Sequence, residues 1–316
     1  MPSEDQGGQT GGAASSGTDD EGGIANGPLL HPPVGFESCS HPEVAANCDA
    51  GWCEVPSGCF VIGSPETEWR RGKDDETQTA VQLSKPKSLQ QFEFSRGDWR
   101  ALFGTEPPAT SDCSQDDCPL TRMSFWDALS IANTLSVKQG FEQCYSLSEC
   151  LGKVGVDLSC SGVSEPKASV YECTGFRLMT AAEAEFVLRA GTISEFYSGS
   201  IKKDNSPTCW NDPTLDEIAW YCDNCSASVQ AQGRLKPNAF GLYDLSGNAS
   251  EWLNQEQEYL SSPGGTDPVG WVGEGERRIV LQGCVASPSQ LRAAAKLSLP
   301  QDARIESSGF RLIRTL

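Results

Sequence analysis

Histidine is nearly missing from this chain. Its 316 residues include two, His31 and His41, both near the N-terminus. Beyond His41 there is no imidazole, which excludes a Ser-His-Asp or Cys-His relay there and an iron centre with histidine ligands. Cations are also scarce: 24 Lys and Arg stand against 43 Asp and Glu, a formal net charge of -19. Nucleic acid and anionic membranes call for a basic surface, so neither fits as a partner. No apolar run approaches the ~18 residues of a membrane span. The N-terminus lacks the basic and apolar regions of a signal peptide.

What the chain does contain is cysteine, 14 in all, with 32 Gly and 19 Pro. A zinc site would need two C-x-x-C knuckles, and only Cys222-Asp223-Asn224-Cys225 has that spacing. The even count favours disulfides and an oxidising, exported setting, outside the cell, in a periplasm or at a surface. Nearness in sequence predicts Cys113–Cys118, Cys144–Cys150 and Cys160–Cys173. Cys284 reads either as half of a disulfide, with Cys209 as its partner, or as a buried free thiol.

Residues 1–36 hold no Lys or Arg and no aromatic before Phe36. Such an acidic Gly/Ser-rich stretch buries too little apolar surface to offset its ordering entropy. It is predicted to be a disordered leader, a spacer between an upstream anchor, such as a lipid, and the domain at 37–316. Residues 37–53 form a Cys-containing N-terminal extension of that domain. Capping signals predict helices opening at Ser95, Ser124 and Thr180. Strands are expected over Val55–Ile62, Val81–Leu83, Arg278–Leu281 and Phe310–Ile313. Hydrophobic content of 38% with abundant Gly and Pro points to an α+β, loop-rich domain low in regular structure.

Several segments resemble the formylglycine-generating-enzyme, or sulfatase-modifying factor, family. Val55-Pro56-Ser57-Gly58-Cys59-Phe60-Val61-Ile62-Gly63-Ser64 is similar to its opening strand. Gly175-Phe176-Arg177-Leu178-Met179-Thr180 with Glu183 and Glu185 resembles "GYRLPTEAEWE". Pro237 to Asn248 with Glu251-Trp252 is similar to "PNAFGLYDMSGNVWEW", and Gly309-Phe310-Arg311-Leu312 to the closing "GFRL". The blocks span roughly residues 53–316 in the family's order. The resemblance implies a C-type-lectin-like fold.

Family enzymes hold copper(I) between two thiolates five residues apart. Matched through Arg292-Ala293-Ala294, those positions fall at Gly283 and Pro288, with Cys284 one residue from the first. Cys284 is therefore the one thiol available as a catalytic candidate. A single thiol does not make a bis-thiolate site, so copper is not expected and the residues weigh against an enzyme. The expected role is a non-catalytic binding or scaffold module for another protein or a surface glycan. Its variable loops would be 104–121, 137–173, 194–216 and 254–276, with Trp210, Trp220, Tyr221, Tyr259 and Trp271 in or beside them. The alternative is a copper-dependent sulfatase-modifying oxidase with a displaced site. The acidic pairs Asp216/Glu217, Glu256/Glu258 and Glu274/Glu276 read as solvated charge.

The resemblance also implies a structural calcium ion at the Asp244–Trp252 turn. Asp244 and Glu251 would give carboxylate oxygens, and Gly247 and Ala249 backbone carbonyls. Calcium takes six to eight hard oxygen donors, which such an alternating set can offer.

Overall fold

A computed structural model describes residues 39–72, 76–108, 113–203, 209–256, 264–269 and 277–316. The leader, Glu258, Tyr259, Trp271, Glu274 and Glu276 lie outside the described residues.

All three predicted helices form where their caps place them. Helix α1 (Arg96–Phe103), α2 (Phe125–Lys138) and α3 (Ala181–Arg189) each open with a reciprocal capping box, Ser95/Asp98, Ser124/Asp127 and Thr180/Glu183. In each box the hydroxyl accepts from the third helical amide, and the acid accepts from the cap residue's own amide. In α3 the capping Glu183 is also buried against Arg177, which donates to its two oxygens at 2.7 and 2.8 Å. Local signals and tertiary packing agree here, so this end of the helix is fixed twice.

Two of the four predicted strands are broken up. Val55–Ile62 is not one strand: Trp52–Val55 and Gly58–Ile62 lie in different sheets, separated by Pro56 and Ser57. Proline has no N–H to continue a ladder, so the chain changes sheet there. Of Phe310–Ile313 only Ile313 is in a strand, since the strands here are Ser308–Gly309 and Ile313–Thr315. Thr79–Leu83 and Arg277–Leu281 form as expected, each slightly longer.

Two four-stranded sheets carry the domain. One joins Cys48–Asp49, Trp52–Val55, Lys87–Gln90 and the C-terminal Ile313–Thr315. The other places Ser250–Glu256 between Arg277–Leu281 (antiparallel) and Ser308–Gly309 (parallel). Helix α3 and Phe186 pack into one apolar cluster with Leu89, Phe240 and Leu253. Helix α2 joins a second cluster with Trp252, Phe310 and Leu312. Trp252 is buried and donates from Nε1 to the Met123 carbonyl at 2.8 Å, which ties the second sheet to the chain entering α2.

Six disulfides are present. Cys113–Cys118 forms as predicted, but Cys144–Cys150 and Cys160–Cys173 do not. Cys144 bonds Cys173 and Cys150 bonds Cys160. The reason is a hairpin. Ser146–Ser148 pairs antiparallel with Gly162–Ser164, which brings the residues beyond the two strands together as nested pairs. Cys209 bonds Cys222, not Cys284, and Cys39–Cys59 and Cys48–Cys53 complete the set. Six bridges fit an oxidising compartment. Among the described residues no helix is long and apolar enough to cross a membrane.

Candidate functional site: an acidic turn beside a thiol pair

The turn after Tyr243 is backbone-strained by design. Asp244 and Asn248 adopt left-handed φ of 57° and 53°. Gly247 has φ 93°, and a Cβ there would sit 2.0 Å from the Trp220 carbonyl oxygen, so only glycine fits. The turn feeds Ser250–Glu256 and delivers two carboxylates to the interior.

Glu251 is buried and clasped by Arg311, whose Nε and Nη2 donate to its Oε1 at 3.1 and 2.9 Å. Arg311 also donates to the carbonyls of Gln90, Gln91 and Tyr243. Asp244 accepts from the Gly233 amide at 2.7 Å through Oδ2, while its buried Oδ1 has no partner. A third carboxylate, Glu93, was not signalled by the sequence. Its Oε1 accepts from Asn248 Nδ2 at 3.0 Å and the Ala249 amide at 3.3 Å, and its Oε2 is buried without a partner.

Three buried carboxylates therefore face one guanidinium. Burial pushes the Glu93 carboxyl well above the ordinary glutamate range, and the neighbouring Asp244 pushes it further. Burial likewise raises Asp244 and Glu251, each partly offset by Arg311. The structure thus brings Asp244, Gly247, Ala249 and Glu251 into one turn and adds Glu93 to them. Among the described residues no three His, Cys, Asp or Glu side chains could cage a metal by themselves. Backbone carbonyls would have to complete any cation shell.

Asn248 joins this cluster to a second one. Its carbonyl accepts from the Cys284 amide at 2.8 Å, and its Oδ1 accepts from the Gln230 amide at 2.8 Å. Cys284 is a free, buried thiol, and so is Cys225. The two thiols hydrogen-bond to one another. In its protonated form Cys225 donates to the Cys284 carbonyl at 3.0 Å. Cys284 faces a cleft of about 400 Å³ whose walls include Val229, Val285, Ile305 and Ser307.

Sequence reasoning matched the copper positions of the family to Gly283 and Pro288. A Cβ at Gly283 would lie 2.5 Å from Ser250 Oγ and 2.7 Å from its amide nitrogen, so a cysteine does not fit there without displacement. Pro288 is buried and opens the 3-10 turn Pro288–Leu291. The second thiol comes instead from Cys225, 59 residues away in sequence. One signal for it was present: Cys222-Asp223-Asn224-Cys225 has knuckle spacing with no second knuckle to make a zinc site.

Among the described residues, the aromatics read as binding-face candidates, Trp210, Trp220 and Tyr221, do not gather on an exposed face. Tyr221 is buried, and Trp210 is half-buried against Trp69, edge to face at 5.4 Å. Trp220 is half-buried beside the turn.

The sequence profile of the sulfatase-modifying factor enzyme 1-like domain matches residues 45–316. The chain belongs to that family. Its fold is similar to variable protein 1 of Treponema denticola, with a TM-score of 0.65 and 19% identity over 84% of this chain and 95% of that one. It is also similar to PvdO of Pseudomonas aeruginosa, with a TM-score of 0.62 and 18% identity over 84% and 94% of the two chains. Among curated proteins it is similar to the chaperone protein LppX of Paenibacillus barcinonensis, 24% identical over 192 residues, covering 57% of this chain and 68% of that protein.

Proposed function

We propose that this chain is an exported, non-catalytic protein-binding module of the sulfatase-modifying factor fold, braced by a calcium ion at the Asp244 turn. The observation that carries the reading is how the buried charge is used. Arg177 with Glu183, Arg189 and Lys296 with Glu185, Arg292 with Glu68 and Glu76, and Arg278 with Glu256 all pair off to tie strands and helices together. Gly283 and Pro288 serve packing where the enzymes place thiolates. The curated relative is named a chaperone, which supports another protein over a glycan as partner. The test is suppression of aggregation of a denatured test protein such as reduced insulin. Clear suppression at near-equal molar amounts is expected, and an unchanged aggregation curve would reject the reading.

Calcium suits the turn on charge and on donor type. Glu93, Asp244 and Glu251 with Arg311 leave a formal excess of two negative charges in the interior, and Glu93 Oε2 and Asp244 Oδ1 have lone pairs without donors. A hard divalent cation would answer both. Asp244 and the backbone carbonyls of Gly247 and Ala249 would hold it, with Glu251 engaged to Arg311 as well. Because the ion would bind the folded state, calcium should raise the melting temperature and EGTA lower it. Asp244→Ala with Glu251→Ala should abolish the difference. A melting temperature indifferent to EGTA, with no calcium in the purified protein, would remove the site.

One observation favours a second reading, the displaced copper oxidase: two thiols do meet, at Cys225 and Cys284. Paired thiolates are soft ligands that fit copper(I). Stoichiometric copper(I) binding lost in Cys225→Ser, together with conversion of a cysteine peptide to formylglycine, would support it. Absence of binding in competition with a copper(I) chelator would dismiss it.

A further inference from the structure

Of the 14 cysteines, six disulfides consume 12. The two left over lie on distant segments and meet in the interior. Both backbones are anchored so that the meeting is built in. The Cys225 amide donates to the Tyr221 carbonyl at 3.0 Å, and the Cys225 carbonyl accepts from Ser228 at 3.1 Å and from Gln230 Nε2 at 3.1 Å. On the other side the Cys284 amide is held by Asn248, and Ala286 accepts from the Cys222 amide at 3.2 Å. The last contact links the Cys284 segment to the Cys209–Cys222 bridge, three residues from Cys225.

Both thiols are buried, and of the two it is Cys284 that forms part of the cleft wall, with Val229, Val285, Ile305 and Ser307. Val285 is 62% exposed and Ile305 38%, so the mouth has an apolar rim. Nothing in the calcium or protein-binding reading uses these thiols.

We propose that Cys225 and Cys284 form a reversible dithiol–disulfide couple that exchanges with a small disulfide-bearing ligand entering the cleft beside Cys284. The hydrogen bond from Cys284 and the amides of Ala227 and Ser228 pull the Cys225 thiol down to about 7, against the effect of burial. The same bond and burial push Cys284 up. Cys284, which lines the cleft, gives its proton to the adjoining Cys225 sulfur and becomes the thiolate. It attacks one sulfur of the ligand R–S–S–R′, forming a Cys284–S–S–R mixed disulfide and expelling R′–S⁻. That leaving group takes the proton from Cys225. The Cys225 thiolate then attacks the Cys284 sulfur, closing Cys225–Cys284 and releasing R–S⁻. The two thiols are oxidised by two electrons, and the ligand disulfide is reduced by two.

Glutathione disulfide is the probe, applied to the full, folded chain at neutral pH and followed by non-reducing peptide mapping. Expected is loss of the two titratable thiols, appearance of a Cys225–Cys284 linked peptide, and reversal by dithiothreitol with the six other bridges intact. Cys225→Ser should accumulate one glutathione on Cys284, and Cys284→Ser should react far more slowly, because Cys284 lines the cleft and Cys225 does not. The mapping of the unsubstituted protein stands even if a variant fails to fold. Thiols that ignore glutathione disulfide in the native state but react once denatured would overturn the proposal. So would a Cys225–Cys284 bond already closed and openable only by unfolding, which would make it a structural staple. Aggregation suppression should be unchanged in the Cys225→Ser/Cys284→Ser protein, so failure of the exchange and failure of the binding reading are separately visible.

Discussion

Lys87 sits buried in the first sheet with its ammonium 5.6 Å from the Phe186 ring centroid and no hydrogen-bond acceptor. Burial lowers its pKa from 10.5 to about 8, with Glu183 only partly compensating. The folded state therefore binds fewer protons than the unfolded chain between those values. Stability should rise as pH climbs from about 8 towards 10.5 and show a constant deficit below that window. The deficit corresponds to on the order of 3 kcal/mol. Lys87→Met keeps the stem and the ring contact, so it is expected to stabilise the protein by roughly 1–3 kcal/mol at neutral pH. It should also flatten the alkaline rise. Urea titrations of both proteins across pH 7–10.5 measure this directly, and a destabilised Lys87→Met would mean that the ammonium is better solvated than its surroundings suggest.

Elements differ in how much of their making is local, and that decides what the sequence alone could reveal. The helix starts were legible because a capping box is a contact between residues three apart. The break at Pro56 has a local cause too, since proline has no N–H to continue the ladder between Trp52–Val55 and Gly58–Ile62. The disulfides went the other way. Cys113–Cys118 closes within one turn, while Cys144–Cys173 and Cys150–Cys160 depend on a hairpin whose short strands, Ser146–Ser148 and Gly162–Ser164, carry little apolar alternation. Nesting follows from antiparallel pairing, which proximity in sequence does not encode. The candidate site was half legible for the same reason. Asp244 and Glu251 lie in one motif, whereas Glu93 and Cys225 arrive from other parts of the chain. Loop lengths of 29 and 5 residues predict unequal value for two of the bridges. Cys144→Ala/Cys173→Ala should cost about 3.5 kcal/mol and Cys113→Ala/Cys118→Ala about 2 kcal/mol by loop-closure entropy. Chemical denaturation of the two double variants gives the ordering, and a larger loss from the shorter loop would point to strain or packing in place of chain entropy.

At the scale of the whole molecule, the folded unit begins ahead of the family match at residue 45. Cys39 is bonded to Cys59, the His41 ring stacks on Phe186 at 4.8 Å, and Pro42 lies over Gly58, where a Cβ would meet its Cδ at 2.3 Å. This extension seals one side of the α3 cluster. Removing residues 1–38 is expected to leave the melting temperature unchanged, whereas removing 1–44 should lower it by several degrees through loss of the bridge and the ring contact. Equal melting temperatures for the two truncations would show that the extension contributes nothing.

Asn248 touches one member of each cluster: Glu93 through its side-chain amide nitrogen, and the backbone of Cys284 through its carbonyl. It works as a pin between the acidic turn and the thiol pair. A cation that draws Glu93 inward would reset the pin, and with it the lie of Cys284 against Cys225. Thermodynamic reciprocity would then give the converse: were such a coupling present, closing a sulfur bridge would change by the same factor how tightly a cation binds at the acidic turn. A protein without a single imidazole in its folded core past His41 would thereby carry a two-input sensor, reading cation level and redox poise through one asparagine.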